Sequence, residues 1–103
     1  MKPFLTAVAA LSLLCTSSVF AEDASELAKA KNCMACHSVD TKLVGPSYKD
    51  VAEKYAGEDD AVSHLAKSIK EGSSGTWGPV PMPPNAVSDE EAEALATWIT
   101  GLE

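Results

Sequence analysis

The sequence contains no arginine. Its 103 residues carry eight basic side chains, all lysine, against fifteen acidic ones, for a formal net charge of −7. A surface that tracks nucleic-acid phosphates needs clustered positive charge, so this balance argues against a nucleic-acid partner. The length allows one domain, which excludes an enzyme with separate cofactor and substrate domains. Aromatic residues are scarce at 6%. No stretch alternates apolar and polar residues with a period of two, so sheet-based classes find no support. With 46% hydrophobic and 22% charged residues, the composition is that of a folding chain rather than a disordered one.

The only long apolar run lies at the start. Met1 and Lys2 give a short positive opening, Phe4 to Leu14 is mostly apolar and uncharged, and Val19-Phe20-Ala21 precedes an acidic Glu22. This is the layout of a secretory signal peptide, too short to span a bilayer as a mature helix. Cys15 raises the possibility of a lipid anchor, but Leu14 stands where such a site requires a small residue. The reading is a cleaved signal at 1–21 and a mature domain at 22–103, exported to the periplasm with no membrane insertion. Loss of Lys2 takes the net charge from −7 to −8, and loss of Cys15 leaves Cys33 and Cys36. A chain of about 80 residues buries only about 60–65% of its unfolded surface, so it needs a disulfide, a metal or a cofactor as a staple.

Along the mature chain the pattern predicts an all-α fold. A first helix is expected over 24–34, with Asp23 or Ser25 as its cap. A loop follows at 38–47, then a short helix at 48–56 on the spacing of Tyr48, Val51, Ala52 and Tyr55. Asp59 or Asp60 can cap a third helix that runs to about Lys70, with Ala61, Val62, Leu65 and Ile69 on its apolar face and Gly72 at its end. The glycines and prolines of 72–87 exclude a helix or central strand there. Ser88-Asp89-Glu90-Glu91 reads as a capping box opening the last helix, with Ala92, Leu95, Trp98, Ile99 and Leu102 on its apolar face. A long loop in so small a domain points to function.

Chemistry concentrates in Cys33-Met34-Ala35-Cys36-His37, a C-x-x-C-H motif. Two thiols three positions apart on a helical turn can reach the two vinyl groups of one haem as thioethers, and His37 then lies beneath the ring to ligate iron. The alternatives are a redox dithiol, a plain disulfide and a zinc site drawn from Cys33, Cys36, His37 and His64. The first lacks a βαβ context, the second leaves the histidine without a role, and the third does not match finger spacing. For the other face of the iron the candidates are Met34, Met82 and His64. Met34 lies between the cysteines and cannot swing across. Met82 sits in Pro79-Val80-Pro81-Met82-Pro83-Pro84, where three prolines within two residues stiffen its loop. The competing role for a loop methionine is gap filling. His64 falls on the polar side of the third helix. His/Met ligation raises the reduction potential and leaves no open position, which favours electron transfer over catalysis.

On CMACHSVDTKLVGPSYKDVAEKYAG and SSGTWGPVPMPPNAVSDEEAEALATWI, the chain resembles the small bacterial class I cytochromes c, and among them the cytochrome c-551 type. The resemblance covers nearly all of 22–103. It implies a cytochrome c fold, about four helices wrapped around one covalent haem c. It implies thioethers at Cys33 and Cys36, His37 and Met82 as iron ligands, the Pro46 carbonyl as acceptor for the histidine, a haem propionate contact for Trp77, and a hydrogen bond near the methionine sulfur for Asn85. Where relatives place an arginine against a propionate, this chain has Ser68, flanked by Lys67 and Lys70, which implies a less neutralised inner propionate.

The resemblance further implies a periplasmic one-electron carrier, not an enzyme. It would be fed by a quinol-side cytochrome and would deliver to a nitrite reductase, a cytochrome oxidase or a dihaem peroxidase, working as a monomer. Its docking rim is expected at Val44, Pro46, Pro79, Val80 and Pro83, with Lys29, Lys31, Lys42, Lys49, Lys67 and Lys70 available to ring it. Two other classes remain open: a haem protein whose Met82 is labile and whose iron binds a small molecule, and a haem-free thiol or zinc module.

Overall fold

The structure, a computed structural model, describes residues 19–102. The expected signal segment at 1–21 lies largely outside them. Helix α1 spans Val19–Ala30, a 3-10 turn spans Cys33–Ala35, and α2, α3 and α4 span Tyr48–Tyr55, Ala61–Glu71 and Asp89–Thr100. No strand occurs among the described residues; the one sheet-like feature is a single antiparallel bridge between Ser73 and Met82.

Helix α1 differs from expectation at both ends. It begins before Asp23 and Ser25, which lie inside it rather than capping it, because nothing in Val19-Phe20-Ala21-Glu22 breaks a helix. It stops at Ala30 because Asn32 takes the left-handed conformation (φ 61°), a state that asparagine tolerates better than most residues. That turn tightens the backbone into the 3-10 segment and separates the cysteines from α1.

Helix α2 is capped by Ser47, whose buried side chain accepts from the Asp50 N–H at 3.1 Å. It buries Tyr48, Val51, Ala52 and Tyr55. Helix α3 starts after Asp60, as expected, but the Asp60 side chain makes no capping bond. Its backbone (φ −105°, ψ 21°) departs from the extended conformation that aims a cap at the first turn. Ser88 and Glu91 form the full reciprocal capping box on α4: Glu91 N–H donates to Ser88 Oγ at 3.1 Å, and Ser88 N–H donates to Glu91 Oε1 at 2.9 Å.

Helix α4 packs against α1, α2 and α3 and so sits at the centre of the core. Ala28 of α1, Val51 and Tyr55 of α2, Leu65 and Ile69 of α3, and Ala92, Leu95, Ala96 and Ile99 of α4 form one buried cluster. Alanines at 28, 92 and 96, none of them accessible, let α1 approach α4 closely. Val62, Trp98 and Leu102, expected in the core, pack at its margin and are partly buried.

The capping box makes α4 acid-sensitive. The Glu91 carboxyl is held below its ordinary value of 4.5, chiefly by the Ser88 backbone N–H, with Lys31 and the Ser88 hydroxyl adding to it. A carboxyl depressed in this way contributes stability that is present above its unfolded value and lost as pH falls through its folded value. Glu91→Gln is therefore expected to lower stability at neutral pH and to flatten the acid limb of the stability curve, checked by urea unfolding from pH 7 to pH 3.

Candidate functional site

The core is open on one side. A cleft of about 720 Å³ runs between the Cys33–Pro46 segment and the loop from Ser73 to Asn85, well within the roughly 300–1,000 Å³ of small-molecule sites. Its floor is the core itself: Val51, Tyr55, Leu65, Ile69, Leu95 and Ile99 all line it.

One wall is built around His37. The imidazole Nδ1 lies 2.8 Å from the Pro46 carbonyl oxygen. A carbonyl can only accept, so Nδ1 carries the proton and Nε2 keeps its lone pair for a metal. The ring lies flat against Gly45, where an added Cβ would stand 2.5 Å from Cε1 and 2.8 Å from Nδ1. On its other flank it stacks with Tyr48, centroids 5.2 Å apart and planes at 28°, and Tyr48 in turn meets Trp98 edge-on at 5.2 Å. The imidazole is thus held by a hydrogen bond, a glycine seat and a ring. The C-x-x-C-H motif exposes none of these restraints, and Gly45-Pro46 by itself reads only as a turn.

The 3-10 turn sets Cys33 and Cys36 beside this ring, with Cys36 N–H and His37 N–H both donating to the Cys33 carbonyl, at 3.3 and 3.0 Å. Both thiols are unpaired and line the cleft. Burial holds the Cys33 thiol above its ordinary range, outweighing an opposing backbone hydrogen bond. Burial, then the neighbouring Cys33 and Cys36 sulfurs, push the Tyr48 phenol upward as well.

The opposite wall carries Met82. Ser73 N–H donates to the Met82 carbonyl at 3.0 Å and Met82 N–H to the Ser73 carbonyl at 2.8 Å, pinning its backbone. Gly72, at φ 88°, permits the close approach: a Cβ there would fall 2.7 Å from the Met82 carbonyl oxygen. Asn85 also lines the cleft. Its Nδ2 donates to the Ile69 carbonyl at 2.9 Å and to the Pro83 carbonyl at 3.4 Å, and its backbone N–H donates to Ile69 as well. These contacts tie the loop to α3 and to itself. Trp77 lines the cleft with 40% of its surface exposed, and Lys54 Nζ sits 5.3 Å above its ring.

His64, the other candidate ligand, packs edge-on against Tyr55 and lies 3.6 Å from Glu58. It does not line the cleft. Among the described residues no group of three or more His, Cys, Asp and Glu is placed to hold a metal, so the four residues of the zinc reading do not form such a group. Of the six lysines available to ring the rim, Lys31 and Lys42 line the cleft. Lys31 also pairs with Glu91 at 3.8 Å, and Lys29, Lys49, Lys67 and Lys70 pair with Glu26, Asp40, Glu71 and Asp89.

The residues present fit a flat apolar cofactor: a mostly aliphatic floor, two free thiols, one oriented imidazole nitrogen and one thioether sulfur. An all-α domain with this cleft defines a small protein that holds a haem covalently. The cytochrome c family model matches residues 21–103, and the chain belongs to that family, which binds one covalent haem c. It is 55% identical to cytochrome c-551 of Pseudomonas aeruginosa over 100 residues, 96% of each chain. It is 58% identical to cytochrome c-552 of Nitrosomonas europaea over 85 residues, 82% of each. The crystal structure of the latter superposes with a TM-score of 0.75 at 60% identity, covering 77% of this chain and 99% of that one. The described helices accordingly form the class I cytochrome c fold, and the chain is a small haem c electron carrier.

Gly45→Ala is expected to push His37 out of its seat, since the new Cβ would overlap the ring. Overpacking of this kind destabilises by about 1–3 kcal/mol. Thermal unfolding of the haem-loaded protein, with the Soret band followed at the same time, checks both effects.

Proposed function

We propose that the chain is a periplasmic one-electron carrier in which Cys33 and Cys36 would attach the haem through thioethers and His37 and Met82 would ligate its iron. The observation that carries this reading is two restrained donors lining one mostly apolar cleft: an imidazole whose Nδ1 is already committed to Pro46, and a methionine whose backbone is pinned by the bridge to Ser73. When bound, the haem supplies a one-electron iron couple. His37 holds its orientation through Pro46 and Gly45, which makes it a better ligand. Met82 would supply the second ligand to the iron, and the mostly aliphatic floor would keep water from it. With both ligands in place the site would favour electron exchange over substrate binding. Trp77, at the cleft rim, is assigned to a haem propionate, and Asn85 to the stiffness of the loop that carries Met82.

Residues 1–21 act in this reading as a cleaved signal and 22–103 as the working domain. Support comes from the charge and apolar pattern of the segment, and no described helix is long and apolar enough to cross a membrane. Electrons leave through the rim, where Val44 and Val80 are 59% and 61% exposed, with Leu43 beside them. A donor on the quinol side and an acceptor such as a nitrite reductase, cytochrome oxidase or dihaem peroxidase would dock here as small, transient partners of the monomer. Lys31 and Lys42, lining the cleft, are placed to steer them against the acidic whole.

Protein produced with a cytochrome c maturation system is expected to show a low-spin reduced spectrum and a ferric methionine-to-iron band in the near infrared. Met82→Ala should abolish that band, admit carbon monoxide to the reduced iron and lower the potential by on the order of 0.1 V, within the roughly 0.8 V span that axial ligands set. Covalent haem whose band persists in Met82→Ala would overturn the ligand assignment. Absence of covalent haem would overturn the whole reading.

A further inference from the structure

Helix α2 measures the cleft from end to end. Its first residue, Tyr48, stacks on His37 and feels the two cysteine sulfurs. Its last, Tyr55, lines the floor seven residues further on, about 10 Å away at 1.5 Å per residue. A haem joined to Cys33 and Cys36 through its vinyl groups would be anchored near the start of α2, which would leave the far end of the helix to receive its carboxylate arms. Trp77 lines the cleft and carries Lys54, from the last turn of α2, above its ring at 5.3 Å. Ser68 of α3 also lines the cleft, half-buried and without charge.

We propose that Lys54 is the cation that offsets a haem carboxylate in this protein, positioned by its stacking on Trp77; the inference rests on the haem reading above. Lys54 is suited to the task because it carries no ion pair among the described residues, whereas Lys67 and Lys70, which flank Ser68, are engaged with Glu71 and Asp89. The other charged groups around this end of the site are few. Asp50, one turn earlier on α2, lines the cleft; Glu58 is engaged with His64 across Tyr55; Lys31 and Lys42 line the cleft from the cysteine segment. An ammonium resting on an aromatic face gives up little hydration and can reach a carboxylate at the rim without first breaking another pair.

The test compares haem-loaded Lys54→Gln, Lys54→Arg and Lys67→Gln with the parent, following the reduction potential from pH 5 to pH 9 at low and high salt. Lys67→Gln removes the same charge from an exposed, paired position. Covalent haem content is measured on every sample. If Lys54 offsets a carboxylate, Lys54→Gln lowers the potential at pH 7. It also moves the pH at which the potential falls upward by about half a unit, a threefold change in proton affinity, as suits an exposed ion pair. Lys54→Arg restores both, Lys67→Gln changes neither midpoint nor slope, and high salt shrinks the difference. A normal haem content with the same midpoint in Lys54→Gln and the parent would overturn this inference and leave the haem reading standing. Absence of covalent haem in the parent itself would overturn both.

Discussion

The contact on which the rest of the site depends is the seat of His37. An imidazole on a flexible segment would rotate about two bonds and offer either nitrogen to a metal. Here the Pro46 carbonyl takes Nδ1, Gly45 removes the atom that would block the ring, and Tyr48 closes the other flank. Each partner belongs to a different local feature: the loop, its glycine, and the first turn of α2. Ser47, by capping α2, fixes where Tyr48 stands; Trp98 fixes its other edge from α4. The position of the imidazole is therefore an outcome of core packing, and any change in how α2 meets α4 reaches it.

Much of this was legible in the chain. Helical spacing located α2, α3 and α4 to within a residue or so, because each buries a regular apolar face, and the Ser88–Glu91 box announced the start of α4. The cysteines, His37 and Met82 stood out because C-x-x-C-H is a local motif and methionine among prolines is rare. What escaped were features set by conformation or by distance along the chain. The end of α1 turns on a left-handed Asn32, and its start on the lack of any breaker upstream. The glycine seat of His37 requires knowing that the chain doubles back at Gly45. The meeting of Lys54 with Trp77 joins residues far apart in sequence, and no periodicity encodes it.

The two walls of the cleft are restrained by different means. The histidine wall is held by side-chain contacts that reach into the core. The methionine wall is held mainly by backbone: the bridge at Ser73, the tether from Asn85 to α3, and the glycine at 72 that lets the two segments approach. This division leaves the rim between Val44 and Val80 free of structural duties, and the exposed apolar surface there is available for encounters with other proteins.

The prolines beside Met82 carry a consequence that lies outside the folded structure. Their rings fix φ in every state of the chain, so the segment has fewer conformations to lose when it folds. Part of the holding of Met82 is thereby written into the denatured ensemble, as entropy never available to it, and owes nothing to contacts that heat or partner binding could disturb. A loop stiffened in this way departs less from its folded path than its few hydrogen bonds would suggest.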